Sequence, residues 1–381
     1  MKRGEASTTA QLCAFTRAYH SRYQSRHIYN DYLAYGLLGR KGYDRMKEQV
    51  GTMTTGVMEG ISEETKQSVG QDNRQESFQR AEKESRQQNW QDSQQQMRQQ
   101  GEQRAELRTG QEMCRGAVTQ TEQELAGKQD PWYGEFLDRM IAPIILPRVR
   151  YAEERLVIFA HSRQAQELQE PTQYVICGAG LDSFAFRNRN PRLEIFELDH
   201  PDTQKMKLER IRQAGWKLPE HTHLVPIDFE RQDLGQVLLQ AGFRPERKTF
   251  IAILGVTYYL SQTVFAETLQ TFGRLSEGPC QIVFDYPEHY DLDEEGQKLI
   301  PERMKQLLAM TDQMGETMKG GISLDLLRRI VGNMGFMIRE HMTPARIQDC
   351  YFRNSEQMRA YENIHFLLLE RREKMNYGDN I

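Results

Sequence analysis

QYVICGAGLDSFAFRNRNPRLEIFELDHP, residues 173–201, is the stretch whose reading decides the fold. Tyr174–Cys177 is a short apolar run, suited to a strand buried on both faces. Gly178, Ala179 and Gly180 follow at once. Glycine there lets the backbone turn sharply and lets a ligand approach where a Cβ would collide. Leu193–Leu198 reads as a second strand, and Asp199 ends it. An acid about 20 residues past such a turn is the usual partner of a ribose in a βαβ unit. The stretch therefore predicts an adenosine-containing cofactor.

Strands and helices alternate beyond it. Further strands are predicted at His223–Ile227, Phe250–Leu254 and Gln281–Asp285, with helices near Gln204–Ala214, Asp233–Ala241 and Gln262–Leu275. This rhythm predicts an α/β fold with a doubly wound, Rossmann-like parallel sheet. Helices at Pro301–Met314 and Ser323–Met334 come next, then strands near Phe336–His341 and Asn363–Leu369. Trp132–Ala165 reads as one or two helices, interrupted near Pro143 and Pro147.

Upstream, residues 1–61 show helical spacing in Leu12, Phe15, Ala18 and Tyr19, then in Leu33, Leu37 and Leu38. They predict short amphipathic helices that need a surface to pack on. Residues 62–130 are different: Gln, Glu, Arg and Ser dominate, and large apolar residues almost vanish. Such a segment cannot bury enough surface to form a core. It is expected to be a solvated helix or a disordered insert. It reads either as an insertion tolerated at the surface or as an arm for a protein partner, and no apolar heptad supports a coiled coil. Three zones result: 1–61 cap helices, 62–130 glutamine-rich insert, and 131–381 the folded body, with further cap helices near 300–320.

Composition narrows the function. A formal net charge of −4 over 381 residues leaves no electrostatic footprint for nucleic acid. No apolar run approaches the ~18 residues of a membrane span, and Met1–Ser7 lacks the apolar core of a signal peptide. Five cysteines, odd in number and scattered, have no metal-ligand spacing. The expectation is a cytoplasmic protein with reduced thiols and no metal, with Cys177 and Cys280 as small buried residues.

The residues after the glycine turn decide the cofactor. A dinucleotide fingerprint wants a third glycine where this chain has Ser183, and no Gly-Lys-Ser/Thr makes a phosphate loop. S-adenosylmethionine carries ribose and adenine without phosphate. It needs a close backbone approach, a carboxylate for the ribose, a polar contact for adenine and charge for its amino-acid end. Gly178 and Gly180, then Asp199, then Asp228 with the Phe229 backbone, then Arg148 and Arg150 supply these in order. Two alternatives are an NAD(P)-dependent oxidoreductase on a related sheet, and a non-catalytic binding module working through the glutamine-rich arm.

PRVRYAEERL, GAGLDSFAFR, FELDHP, IDFE and ILGVTYYL, taken together, resemble the motifs of class I S-adenosylmethionine-dependent methyltransferases. The branch is that of the leucine carboxyl methyltransferases and related bacterial O-methyltransferases. STTAQLCAFTRAYHS resembles its N-terminal helix. The resemblance implies a seven-stranded, mostly parallel sheet with one reversed strand near the C-terminus. It implies Arg148 at the methionyl carboxylate, Gly178, Ala179, Gly180 and Asp182 in the cofactor loop, Asp199 on the ribose, and Asp228 and Phe229 at the adenine. The branch commonly has Ala-Glu where this chain has Ile253-Leu254. The acceptor is expected to be a small molecule or a peptide carrying a carboxylate or hydroxyl. Tyr258, Tyr259, Glu288 and His289, after the fourth and fifth strands, are the candidates for lining its pocket, and none is assigned as a base. His200 is expected to support Asp199.

Overall fold

The computed structural model describes residues 7–24, 27–64, 131–162, 170–289, 299–319, 321–355 and 357–372, with 53–64 and 131–133 described by backbone alone. The chain divides into two compact units, Met1–Thr54 with Asp130–Ile381, and Thr55–Gln129. The readings made for residues 62–130 fall almost wholly outside the described residues. The sheet and the candidate site both belong to the first unit.

Its elements run α1 (Thr8–Tyr23), α2 (Ala34–Leu38), α3 (Arg40–Glu64), α4 (Pro131–Phe136), a π-helical turn (Leu137–Ile141), and α5 (Ala142–Ala160). Then come β1 (Thr172–Cys177), α6 (Phe184–Arg187), β2 (Leu193–Asp199), α7 (Pro201–Gln213), β3 (Thr222–Pro226), α8 (Leu234–Gln240), β4 (Thr249–Ile253), α9 (Gln262–Leu275) and β5 (Cys280–Pro287). The chain closes with α10 (Glu302–Gln313), α11 (Leu324–Asn333), β6 (Phe336–Met342), α12 (Pro344–Ile347), a second π-helical turn (Gln348–Phe352) and β7 (Ile364–Arg371). Helix starts follow the expected chemistry: the Asp233, Ser261 and Ser323 side chains accept from Gln236, Val264 and Leu326 N–H.

One of the two prolines corrects the sequence reading, while the break expected near Pro143 is present as the junction of the π-helical turn with α5. Pro147 lies inside α5 and does not interrupt it; the irregular turn comes earlier, at Leu137–Ile141. Pro143 follows directly on the π-helical turn, in which Ala142 N–H donates to the Leu137 carbonyl. Pro147 removes the bond to the Pro143 carbonyl.

The seven strands order as β3-β2-β1-β4-β5-β7-β6. β1 to β5 are parallel, and β7 is antiparallel to both β5 and β6. All six residues of β1 are buried, as a strand covered on both faces requires. On one face Phe196, Ile253, Phe265, Phe284 and Leu367 belong to a continuous apolar core with residues of α8, α9 and α11. On the other, α5 lies over the sheet, with the Tyr151 ring 5.6 Å from Phe366. Cys177 and Cys280 are buried, as expected. Because β1 has β2 on one side and β4 on the other, the chain changes winding direction there. The crevice at the carboxyl ends of these strands is where such sheets hold ligands.

Three rings in this frame are held neutral. Burial, aided by His27, lowers His20 to about 4. Burial, aided by His365, lowers His341 to about 4, and burial does the same to His365. The unfolded chain takes up these protons from about pH 6.5 downward. Stability is therefore full above that pH and is lost as pH falls toward 4. Each fully buried ring costs up to about 2 kcal/mol at pH 5. Asp138, raised to about 6 by burial, works in the opposite direction with Glu197 and Asp199, while Asp31 and Glu340, held low by their arginines, side with the rings. The melting temperature is expected to drop between pH 7 and pH 5. An unchanged midpoint would show that the rings are solvated.

Candidate functional site

The loop from β1 to α6 forms the floor of the crevice. Gly178 and Gly180 have φ of 72° and 52°, a region that favours glycine. A Cβ on Gly178 would come within 2.4 Å of Val256 Cγ2, so the loops after β1 and β4 meet in the space a side chain would take. The Gly180 N–H donates to Asp199 Oδ2 at 2.6 Å, and the His200 N–H donates to Asp199 Oδ1 at 2.7 Å. Each oxygen still has a lone pair to offer. Burial raises the pKa of Asp199, and the two backbone donors oppose that shift. His200 supports Asp199 through its backbone, while its ring accepts from Asp202 N–H at the start of α7.

Asp182 and Asp228 both turn toward their own loops. Asp182 Oδ1 accepts from Phe184 N–H at 2.6 Å, beginning α6. Asp228 Oδ1 accepts from Glu230 N–H at 3.1 Å, and Oδ2 lies 3.5 Å from Arg231 Nε. Asp228 is next to Asp199 across the strand ends, because Ile227 N–H donates to the Asp199 carbonyl. Phe229 packs against the apolar core.

Arg148 enters from α5. Its Nη1 donates to Asp285 Oδ2 at 3.0 Å, and its Nη2 lies 3.6 Å from Cys13 Sγ. Nε, buried, has no partner among the described residues. The guanidinium lies against Gly255, where a Cβ would sit 2.5 Å from Nη2 and 2.8 Å from Cζ and Nη1. Burial alone would weaken the cation, but Asp285 holds its pKa up. Arg150 faces elsewhere, pairing with Glu154 and donating to the Ile28 carbonyl.

α1 lies across this floor. The space beside Gly180 is filled by Ala10, and Arg17 Nη2 donates to the Leu181 carbonyl at 2.7 Å. Arg17 Nε also donates to Asp31 at 2.9 Å, and Asp31 accepts from Ser183 Oγ at 2.5 Å. Arg187 joins the cluster through Ser183, Asp31 and Glu153. Burial would raise Asp31, yet Arg187 and Arg17 outweigh it and hold the carboxyl low. Ser183, where a dinucleotide loop has glycine, is thus the attachment point for the N-terminal segment. At the other end of α1, Glu316 accepts from Ser7 Oγ, Thr8 N–H, Thr9 N–H and Thr9 Oγ1.

The four acceptor-pocket candidates part ways. Tyr258 is buried, and its hydroxyl donates to Asp285 at 2.9 Å. Tyr259 is half-buried beside Thr9, Glu316, Cys13 and Arg148; burial first and Glu316 second raise its pKa, so it stays a phenol and a donor. Glu288 is held 3.0 Å from His365 Nε2, and His289 is exposed. Tyr259 alone of the four sits beside both Arg148 and the start of α1. Asp285, Asp31, Arg17, Arg187 and Glu316 were missed in the sequence. Asp285 had a signal: a carboxylate inside the apolar run IVFDY needs a buried partner.

A family model described as leucine carboxyl methyltransferase matches residues 116–273. A Bacillus subtilis protein named "Putative S-adenosyl-L-methionine-dependent methyltransferase YktD" is 29% identical over 373 residues, covering 96% of this chain and 98% of its own length. A Parafrankia protein with the same descriptive name is 32% identical over 142 residues, 37% of this chain and 43% of its own. A solved methyltransferase structure from Thermobifida fusca covers 60% of this chain and 82% of its own at 14% identity and a TM-score of 0.41. The fold of this chain rests on its own strand order and not on that overlap. Among the described residues, no helix is long and apolar enough to cross a membrane, and no cluster of His, Cys, Asp and Glu could hold a metal ion.

Proposed function

Starting from a chain that is an S-adenosylmethionine-dependent methyltransferase and matches the leucine carboxyl methyltransferase family model over residues 116–273, we propose that it methylates an oxygen, foremost a carboxylate, on a small molecule or peptide. One observation carries the cofactor half of this reading. Polar groups with capacity to spare lie at the carboxyl ends of adjacent parallel strands: Arg148 Nε, unpaired among the described residues, and the Asp199 carboxylate, on either side of a Gly178–Gly180 loop whose own N–H groups are held by Leu198 and Asp199. Arg148 would take the methionyl carboxylate and Gly178, Ala179 and Gly180 the methionyl backbone. Asp182 would shape that loop. Asp199 would take the ribose hydroxyls, and Asp228 with the Phe229 N–H the adenine edge.

When bound, S-adenosylmethionine supplies a methyl group on a sulfonium, an electrophile needing no further activation. The protein's own residues then align the acceptor and exclude water. α1 does the second, since it covers the loop through Ala10, Cys13 and Arg17. A carboxylate acceptor needs no base, whereas a hydroxyl does. Glu316 is already bonded to four donors of α1, and Tyr259 is held as a phenol, so neither is poised to remove a proton. Tyr259 is suited to donate to an acceptor oxygen.

The test is to incubate the protein with a metabolite extract and methyl-labelled cofactor, then treat the products with mild alkali. Release of labelled methanol is expected, because esters hydrolyse and ethers do not. Alkali-stable O-methyl ethers would move the acceptor to a hydroxyl. Label on nitrogen would overturn the oxygen assignment.

A further inference from the structure

We propose that Asp285 is the positioning residue that sets Arg148 for the amino-acid end of the cofactor. This role rests on the proposed binding of the methionyl carboxylate by Arg148. Asp285 is fully buried near the carboxyl end of β5. Its Oδ1 accepts from the Gly255 N–H at 2.6 Å, and its Oδ2 from Arg148 Nη1 at 3.0 Å and the Tyr258 hydroxyl at 2.9 Å. Its own carbonyl accepts from Thr257 Oγ1 at 2.6 Å. One residue thus ties the turn after β4 and the arginine of α5 into a single unit.

The geometry leaves one edge of Arg148 buried and short of hydrogen-bond partners. Asp285 takes Nη1, and the end of the guanidinium packs against Gly255, where a Cβ would come within 2.5 Å of Nη2 and 2.8 Å of Cζ and Nη1. The remaining edge carries Nε, which has no partner among the described residues, and Nη2, which meets only the sulfur of Cys13. Nε and Nη2 are the pair of donors that a carboxylate takes side-on, with two parallel hydrogen bonds. Asp285 therefore determines which edge of the fork is left short of partners and keeps it from turning.

The charge balance fits the same role. Arg148 and Asp285 together are neutral, so the pocket selects its partner by hydrogen-bond geometry. The amino-acid end of the cofactor is a zwitterion, also neutral, and suits such a pair. A pyrophosphate, with its net negative charge, finds no surplus cation. Without Asp285, Nη1 loses its anchor and an unpaired buried guanidinium turns toward water.

S-adenosylhomocysteine and 5′-methylthioadenosine distinguish these roles, since they share the adenosine thioether and differ by the amino-acid end. Dissociation constants for both would be measured by calorimetry on the full chain and on D285N, Y258F and R148A. Asp285→Asn is expected to lower the preference for S-adenosylhomocysteine at least tenfold while methylthioadenosine stays within about twofold. Tyr258→Phe, which removes one donor and keeps the ring, is expected to lower the preference two- to fivefold. It supplies the measurement if D285N does not fold. Equal weakening of both ligands, or an unchanged or increased preference, would overturn the role of Asp285. An unchanged preference in R148A would instead overturn the assignment of Arg148, so the two failures are distinct.

Discussion

Replacing Asp31 with alanine is expected to destabilise the protein by about 3–5 kcal/mol, the cost of removing one partner from a buried ion cluster. That is a large part of the roughly 5–15 kcal/mol by which domains are stable. Asp31 is 1% exposed and is the carboxylate shared by Arg17 and Arg187. Without it Arg17 keeps only the Leu181 carbonyl as an acceptor, and Ser183 Oγ loses its own. Arg187 is less affected, because Glu153 remains. Urea denaturation would measure the loss, with Asp31→Asn expected to fall between wild type and alanine. A loss below about 1 kcal/mol would mean that the arginines are solvated and the cluster holds nothing in place. The same variant is expected to bind S-adenosylhomocysteine more weakly, because it releases α1 from the glycine loop.

Asp199→Ala is expected to cost at least ~1.5–3 kcal/mol of cofactor affinity, the range for a hydrogen bond to a charged group. In a titration with S-adenosylhomocysteine that reads as a rise of about 10- to 150-fold in Kd. Two effects add. The ribose loses its proposed acceptor, and the N–H groups of Gly180 and His200 lose theirs, so the loop itself loosens. Asp199→Asn separates them: it keeps one carbonyl oxygen for a backbone donor but cannot accept from two hydroxyls and two N–H groups at once. Unchanged affinity in the alanine variant would remove Asp199 from the ribose.

The frame was legible because its signals are local. Each central strand is an apolar run closed by glycine or aspartate, and the observed strands differ from those read in the sequence by one or two residues at their ends. α9 has the bounds that its spacing predicted, Gln262–Leu275. Local rules failed at Pro147, because a helix already held by packing against the sheet tolerates one missing bond. The partners of the site were not legible, because they are distant in the chain. Ser183 showed only that a glycine was missing, and Asp31, 152 residues earlier, explains what serine does there. Asp285 showed only that a charge lay in an apolar strand, and its arginine is 137 residues away. Tyr258 and Tyr259 are adjacent and chemically alike, yet one is bonded to an internal carboxylate and the other lies beside Thr9, Glu316 and Arg148. Only the path of the turn after β4 separates them.

The fastening of α1 to Glu316 spans 309 residues of chain. At about 5–20 residues per second of synthesis, the helix waits roughly 15–60 s for the carboxylate that receives its first turn. During that interval the rest of the helix already has partners, Phe15 in Tyr43 and Arg17 in Asp31 and the Leu181 carbonyl, while Ser7, Thr8 and Thr9 wait. The body of α1 can thus dock well before its first turn is fastened. A nascent chain has the glycine loop long before it has Asp285 or the clasp at Glu316. The cofactor pocket is therefore completed late in synthesis, and truncated products of translation are expected to be unable to retain the cofactor.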